Sequence, residues 1–339
     1  MKLSPGLSTS LHVAFAPLLS GVLAVKLGAI ARQPVGIRDS GERDSSALVI
    51  EKSARGRLRV GLDMVALKSQ RRIFSGLWRR AGVFVDLLSD PAVAPGIYRC
   101  DFNDMAQEAG PILAFCSNQE GTILVPDRGF YGKRGYAAER ARGASAPPWE
   151  ARDPVVLWRG NRSGSGEVMT ETMSPQDSEL IQRVRMCLIA RDIPGTDIAF
   201  AVGSRWPEKI AESYRSAGIA AGFIDESAWL GRKFAIDVDG NANAFSNLFI
   251  RMLYGCCVIK IASPWGFRQW YYEDLLPWTH FVPVEADMSD LAEKIAWCQA
   301  NDDACRSIAA NARKFAQART FERERRSTIE RIRAAFPSR

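Results

Sequence analysis

The chain has 339 residues, long for one domain and suited to two of about 150–170 residues each. Its composition, 47% hydrophobic and 24% charged with 27 Gly and 17 Pro, is that of a globular protein and excludes disordered, collagen-like and polytopic membrane classes. The net charge of +7 is carried almost wholly by residues 1–150, which hold 20 Lys and Arg against 14 Asp and Glu, while residues 151–339 hold 25 against 24. The basic first half therefore suits an anionic partner (a phosphorylated glycan, a membrane surface or a nucleic acid) or is a solvated surface with no such role.

In chain order, residues 11–25 (LHVAFAPLLSGVLAV) are apolar but too short to span a bilayer, and His12 and Pro17 interrupt them. They resemble a signal peptide, yet the unpaired cysteines favour a buried N-terminal helix or an interfacial anchor. Residues 32–60 are polar and read as a surface connection. Between Met64 and Leu88 the spacing of Leu67, Ile73, Leu77, Val83 and Leu87 predicts a helix with Arg71, Arg72, Arg79 and Arg80 on its outer arcs. Three short apolar runs, at 96–102, 111–116 and 122–127, read as strands. The Gly-, Pro- and Arg-rich stretch 132–154 places a domain boundary near 150, giving domains 1–150 and 151–339.

Beyond it strand and helix alternate. Strands are expected at 154–160, 196–202, 233–240, 256–262 and 281–284, and helices at 174–192 (with a Ser/Asp cap), 207–218, 246–255 and 289–301. Parallel neighbours need crossover helices, so this pattern predicts a doubly wound sheet with a ligand at the carboxyl ends of its strands. Residues 304–336 read as one or two closing helices. The seven cysteines, an odd number without CxxC spacing, read as reduced core thiols, and His12 and His280 are too few for a histidine metal centre.

Four segments can carry chemistry. Trp158-Arg159-Gly160-Asn161-Arg162-Ser163-Gly164 offers two guanidinium forks suited to a diphosphate, or a salt-bridged surface loop. Asp239-Gly240-Asn241 leads through Ser246 and Asn247 into a helix whose first amides and dipole favour an anion. Asp237 and Asp239 also spell a DxD with both carboxylates on one strand face, compatible with a divalent cation. The aromatic stretch 263–283 ends near His280, which can donate to a phosphate or simply close a core loop.

The run KFAIDVDGNANAFSNLFIRMLYGCCVIKIASPW, with WYYEDLLPWTHFVPV and DLAEKIAWC after it and PPWEARDPVVLWRGNRSG and ILVPDRGF before it, resembles glycosyltransferase family 90. This is the group of capsule-associated xylosyltransferases and Rumi-type protein O-glucosyltransferases. The resemblance implies a GT-B-like α/β fold, with two Rossmann-like domains facing a cleft and C-terminal helices. It places the acceptor on the first domain and a nucleotide sugar, UDP-glucose or UDP-xylose, on the second, and implies inverting transfer without an obligatory metal. It matches Arg159 and Arg162 to the donor's diphosphate, and Gly160, Asp239, Gly240, Asn241, Ser246 and His280 are the further donor-side candidates. Where the family commonly carries an Arg this chain has Asn247, so Arg251 or Lys260 would have to compensate. Asp104, or else Asp101, would be the general base. The implied setting is a cytoplasmic enzyme at the inner membrane face acting on lipopolysaccharide or capsule. The alternatives are a non-catalytic glycan- or nucleotide-binding relative and, from the basic helix alone, a nucleic-acid binder.

Overall fold

The computed structural model describes residues 16–42, 47–65 and 71–337, and the side chains of 16–18 and 71–75 lie outside that description. The chain divides into two compact units: one runs up to Gly132 and resumes at Phe321, and the other is Lys133–Thr320.

The first unit holds a six-stranded sheet in the order β1-β3-β2-β4-β5-β6. Its strands are β1 (Val35–Asp39), β2 (Ala47–Lys52), β3 (Leu58–Leu62), β4 (Gly96–Asp101), β5 (Leu113–Ala114) and β6 (Ile123–Leu124). β2 runs antiparallel to both β3 and β4, and the other pairs are parallel. The first three strands correct the reading of 32–60 as a connection. Burial in β2 alternates strictly, with Leu48, Ile50 and Lys52 inward and Ala47, Val49 and Glu51 half-buried, so the charged residues of this region belong to half-buried strands rather than to a connection.

α1 (Ala16–Ala31) lies against α2 (Arg71–Ser89) and β1, burying Leu23, Leu27 and Ala31 four residues apart. The part of the apolar stretch before Ala16, with His12, lies outside the described residues, as do Leu67 and the side chains of Arg71 and Arg72. Arg79 is exposed as expected, whereas Arg80 is drawn into contacts described below. After a short helix α3 (Arg128–Gly132), this unit is completed by the last helix of the chain, α10 (Phe321–Ala335). Arg325 of α10 reaches Asp86 at 2.7 Å and Asp90 at 2.9 Å, and the Phe336 ring meets Tyr98 edge-on at 4.9 Å. The closing helices therefore part company. α9 (Asp302–Ala318) stays with the second unit, and α10 returns to the first.

The second unit begins seventeen or so residues earlier than the expected boundary, because the Gly- and Arg-rich stretch is its first helix, α4 (Ala137–Ala144). Arg140 of α4 donates to the carbonyls of Gln317 and Arg319, and Arg313 donates to that of Gly143. A Cβ at Gly143 would stand 2.4 Å from the carbonyl oxygen of Leu253, so only glycine admits this approach to α7 (Ser246–Tyr254).

The rest of the unit alternates β7 (Val156–Gly160), α5 (Gln182–Ala190), β8 (Thr196–Ala201), α6 (Glu208–Ser216), β9 (Ala220–Ala221), β10 (Phe234–Asp237), α7, β11 (Cys257–Ile261), β12 (Val282–Val284) and α8 (Leu291–Ala300). α5 starts later than expected, after Ile181, and no side chain caps it. All strands are parallel, in the order β12-β11-β10-β7-β8-β9, which is the doubly wound arrangement. Because the faces are covered by helices, β10 and β11 are buried along their whole length. All seven cysteines are buried, and none is in a disulfide. Among the described residues no helix is long and apolar enough to cross a membrane.

Candidate functional site

The order of strands in the second unit reverses between β7 and β10. Ligands of doubly wound sheets bind beyond the carboxyl ends of the strands at such a point. The two sequence segments singled out for a diphosphate, after β7 and after β10, meet there. The Gly164 amide donates to Asn241 Oδ1 at 3.1 Å, and a Cβ on Gly240 would lie 2.9 Å from Ser163 Oγ.

A residue with no motif around it, Arg183 on α5, ties the loops together. Its guanidinium donates to the Asn161 carbonyl at 3.0 Å, Ser163 Oγ at 2.7 Å and the Asp239 carbonyl at 2.8 Å. Burial lowers its pKa from the usual arginine value, opposed by the nearby carboxylates of Asp237 and Asp239. With the Val238 carbonyl at 3.4 Å as a fourth acceptor, Arg183 is a clamp between the two loops rather than a ligand group.

The predicted residues divide into those spent on structure and those open to a ligand. Arg159 is spent: Nη2 reaches Asp197 Oδ1 at 2.5 Å, Nη1 donates to the Trp158 and Asp197 carbonyls at 2.9 Å each, and Nε donates to the Gly222 carbonyl at 3.3 Å. Its side chain is 8% exposed, so the fork expected to hold a diphosphate instead pins β7 to β8. Asn247 is likewise committed, donating to the Ile236 carbonyl at 3.2 Å and Asp237 Oδ1 at 2.9 Å.

Asp237 is fully buried, with Asn247 on one carboxylate oxygen and Lys260 Nζ 3.1 Å from the other, so both oxygens already have structural partners. Lys260 is thereby removed as a compensating cation. Asp239 accepts from Asn243 at 3.2 Å, and its pKa is raised by burial, an effect reduced by Lys260 and Ser263. Among the described residues no three His, Cys, Asp or Glu side chains form a cluster able to hold a metal ion.

Ser246 opens α7 after Phe245, whose backbone (φ 47°, ψ −102°) lies in a region that L-residues rarely adopt. Such strain at a loop-to-helix entrance is held in place by its surroundings, here by Gln269 donating to the Phe245 carbonyl at 3.4 Å.

The open residues line a cavity of about 840 Å³ beyond the ends of β7, β8 and β9, walled by Gly160, Arg162, Trp206, Phe223, Trp229 and Arg251, with Arg159 at its edge. Arg162 lies 5.4 Å above the Trp206 ring. Phe223 is 81% exposed at the rim. Arg251, on α7, is only 7% exposed, and its guanidinium stacks on Trp229 at 3.8 Å. Its Nε and Nη1 are buried with no hydrogen-bond partner. Burial pushes its pKa down from the ordinary arginine value, with Cys256 and Glu226 opposing that shift. A buried donor left unmade costs about 1–3 kcal/mol, more when charged. Donors in that state at a cavity wall are ready for an anion, because a bound anion supplies the bonds they lack.

In the first unit, Asp104 Oδ1 stands 3.0 Å from Arg80 Nη2, and Arg80 also donates to the Phe102 carbonyl at 2.7 Å. Asp101 ends β4, accepts the Asn103 amide at 2.7 Å and lines a separate cavity of about 330 Å³ with Arg99, Gln107 and Glu108. His280 is not brought to the loops by any of its contacts. Its Nδ1 accepts the Leu276 amide at 3.0 Å and its ring packs on Phe315 at 4.7 Å, so it closes a turn, with its pKa lowered by burial and by Arg319.

The pattern of glycosyl transferase family 90 matches residues 83–322, most of this architecture. The chain belongs to that family. It is 31% identical to uncharacterized protein 179R of Invertebrate iridescent virus 6 over 186 residues, covering 50% of this chain and 16% of the viral one. It is 25% identical to protein O-glucosyltransferase 3 of Rattus norvegicus over 207 residues, covering 59% of this chain and 36% of the rat protein. Among solved structures a glycosyltransferase from Rickettsia africae aligns with a TM-score of 0.43 at 13% identity, covering 68% of this chain and 64% of that one. The chain spans well under half the length of these two curated relatives.

In this family 90 chain the residues that sequence reasoning missed are Arg183, Asp197, Trp206, Phe223 and Trp229. None carries a motif, because their roles arise from partners distant in sequence. Lone aromatics just beyond strands β8 and β9 were the one available signal, since the carboxyl ends of the strands were already expected to hold the ligand.

Proposed function

We propose that this family 90 chain is an inverting glycosyltransferase that moves a sugar from a nucleotide donor, with the donor's diphosphate on Arg251 and Arg162. The observation that carries this reading is the buried, unpartnered guanidinium of Arg251 at the wall of an 840 Å³ cavity beside the β7–β10 switch point. The Arg162 and Trp206 pair and the exposed Phe223 ring support the nucleotide part, since flat rings stack on bases. The name of the rat relative supports a glucosyl donor, so UDP-glucose is the first choice and UDP-xylose the second. The acceptor is a glycan hydroxyl, as on lipopolysaccharide or capsule, or a protein hydroxyl.

In this mechanism Asp104 takes the proton of the acceptor hydroxyl as the oxygen attacks the anomeric carbon. The diphosphate leaves from the opposite face, through an oxocarbenium-like transition state. Negative charge grows on the leaving diphosphate, and arginines held by ring stacking, with hydrogen-bond donors still unused on Arg251, stabilise it without reorganisation. No metal is needed for that step, and EDTA should leave turnover unchanged. A non-catalytic nucleotide-binding relative is the second reading, supported by Asn247, whose amide is used internally where the family commonly has an Arg.

A panel of nucleotide sugars, followed by calorimetry and by release of the nucleoside diphosphate in the presence of acceptor, separates the two. Asp104→Asn should cut transfer by about 10²–10⁴-fold while UDP affinity stays the same. Turnover unchanged in that variant would pass the role to Asp101. Binding without turnover for every donor and acceptor would favour the non-catalytic reading. No binding at all would remove the nucleotide assignment.

A further inference from the structure

The first unit carries a surface that sugar transfer does not use. α1 is apolar on two opposite faces, yet only one is covered. Leu23 and Leu27 are in the core, while Val22 is 44% exposed and Val25 74% exposed. Val22, Val25, Lys26 and Ala29 fall at i, i+3, i+4 and i+7, which is one stripe of a helix, and Lys26 and Ala29 are exposed too. A helix with apolar residues all round is normally enclosed, so this stripe calls for a second environment that is itself apolar.

The neighbouring helix adds a ring and a second cation beside this stripe. Lys26 Nζ lies 4.6 Å above the Trp78 ring of α2, and the Arg79 guanidinium lies 5.2 Å from the same ring. Trp beside Lys and Arg at the margin of an apolar stripe is the side-chain pattern of a bilayer interface. The ring sits at headgroup depth while the cations reach lipid phosphates. α1 contains no acidic residue, so nothing on the helix itself opposes an anionic surface. The excess of basic residues in the first half of the sequence has the same sign.

We propose that the Val22–Val25–Ala29 stripe of α1, flanked by Lys26, Trp78 and Arg79, docks on the surface of an anionic lipid bilayer. The attachment is peripheral, combining a shallow apolar contact with headgroup attraction, and it is independent of the transferase reading.

Co-sedimentation of the full chain with vesicles tests this. Vesicles of phosphatidylcholine containing phosphatidylglycerol should bind the chain, pure phosphatidylcholine vesicles should bind it far more weakly, and added salt should release it. Val25→Glu should lower partitioning by at least about tenfold, and Val25→Ser, which adds no charge, by a smaller factor. Lys26→Gln and Arg79→Gln should each cost about fivefold on anionic vesicles only. All four variants change exposed positions, so their melting temperatures should match the parent. Leu276→Glu, at a 54% exposed apolar site in the second unit, should bind as the parent does. The proposal is overturned by absence of binding to anionic vesicles, by Val25→Glu binding undiminished, or by equal loss in Leu276→Glu. It is also overturned if sedimentation velocity shows a dimer that Val25→Glu dissociates, since a second copy of the chain would then cover the stripe.

Discussion

Two arginines at the wall of one cavity behave in opposite ways. Arg159, which has the more suggestive sequence setting, spends its donors on Asp197 and on carbonyls of three residues. Arg251, the sixth residue of α7, keeps Nε and Nη1 buried and unbonded over Trp229. A guanidinium at this cavity thus holds the fold when its fork is filled and leaves donors open to an anion when it is not. The fold itself bears the cost of the second arrangement, which only a bound anion offsets.

Removing the filled forks should separate the two kinds of arginine. Arg183→Ala, which strips four acceptors and leaves Asp237 and Asp239 without their nearest cation on α5, should lower unfolding free energy by about 3 kcal/mol or more in urea titrations. It should also weaken nucleotide binding, because the loops then move apart. Arg159→Ala should cost less, about 1–3 kcal/mol, and change UDP affinity by under about threefold. A large loss of UDP affinity with stability preserved in Arg159→Ala would reverse the assignment of the two arginines.

The second unit was legible because covered parallel strands are continuous apolar runs and each crossover helix ends on turn residues, as at Gly218 and Gly255. That pattern also located the two loops that converge at the switch point. The first unit was harder: β1 to β3 are short and carry charged residues (Arg38, Asp39, Glu51, Lys52 and Arg59) beside their apolar ones, so they read as a connection. The return of α10 was invisible because its binding to Asp86 and Asp90 depends on residues more than two hundred positions away. The same limit applies within the site. Sequence showed which cations lie near the loops but not which of them already have partners. A run of glycine and arginine likewise read as a boundary, although at Gly143 the missing side chain serves close packing.

Arg251→Met, whose unbranched side chain can still lie on Trp229, separates a ligand-holding arginine from a structural one. UDP titration by calorimetry should show affinity lower by about ten- to a hundredfold, while urea unfolding without nucleotide gives a stability equal to or above that of the parent. Unchanged UDP affinity, or a stability loss as large as that of Arg159→Ala, would contradict the account.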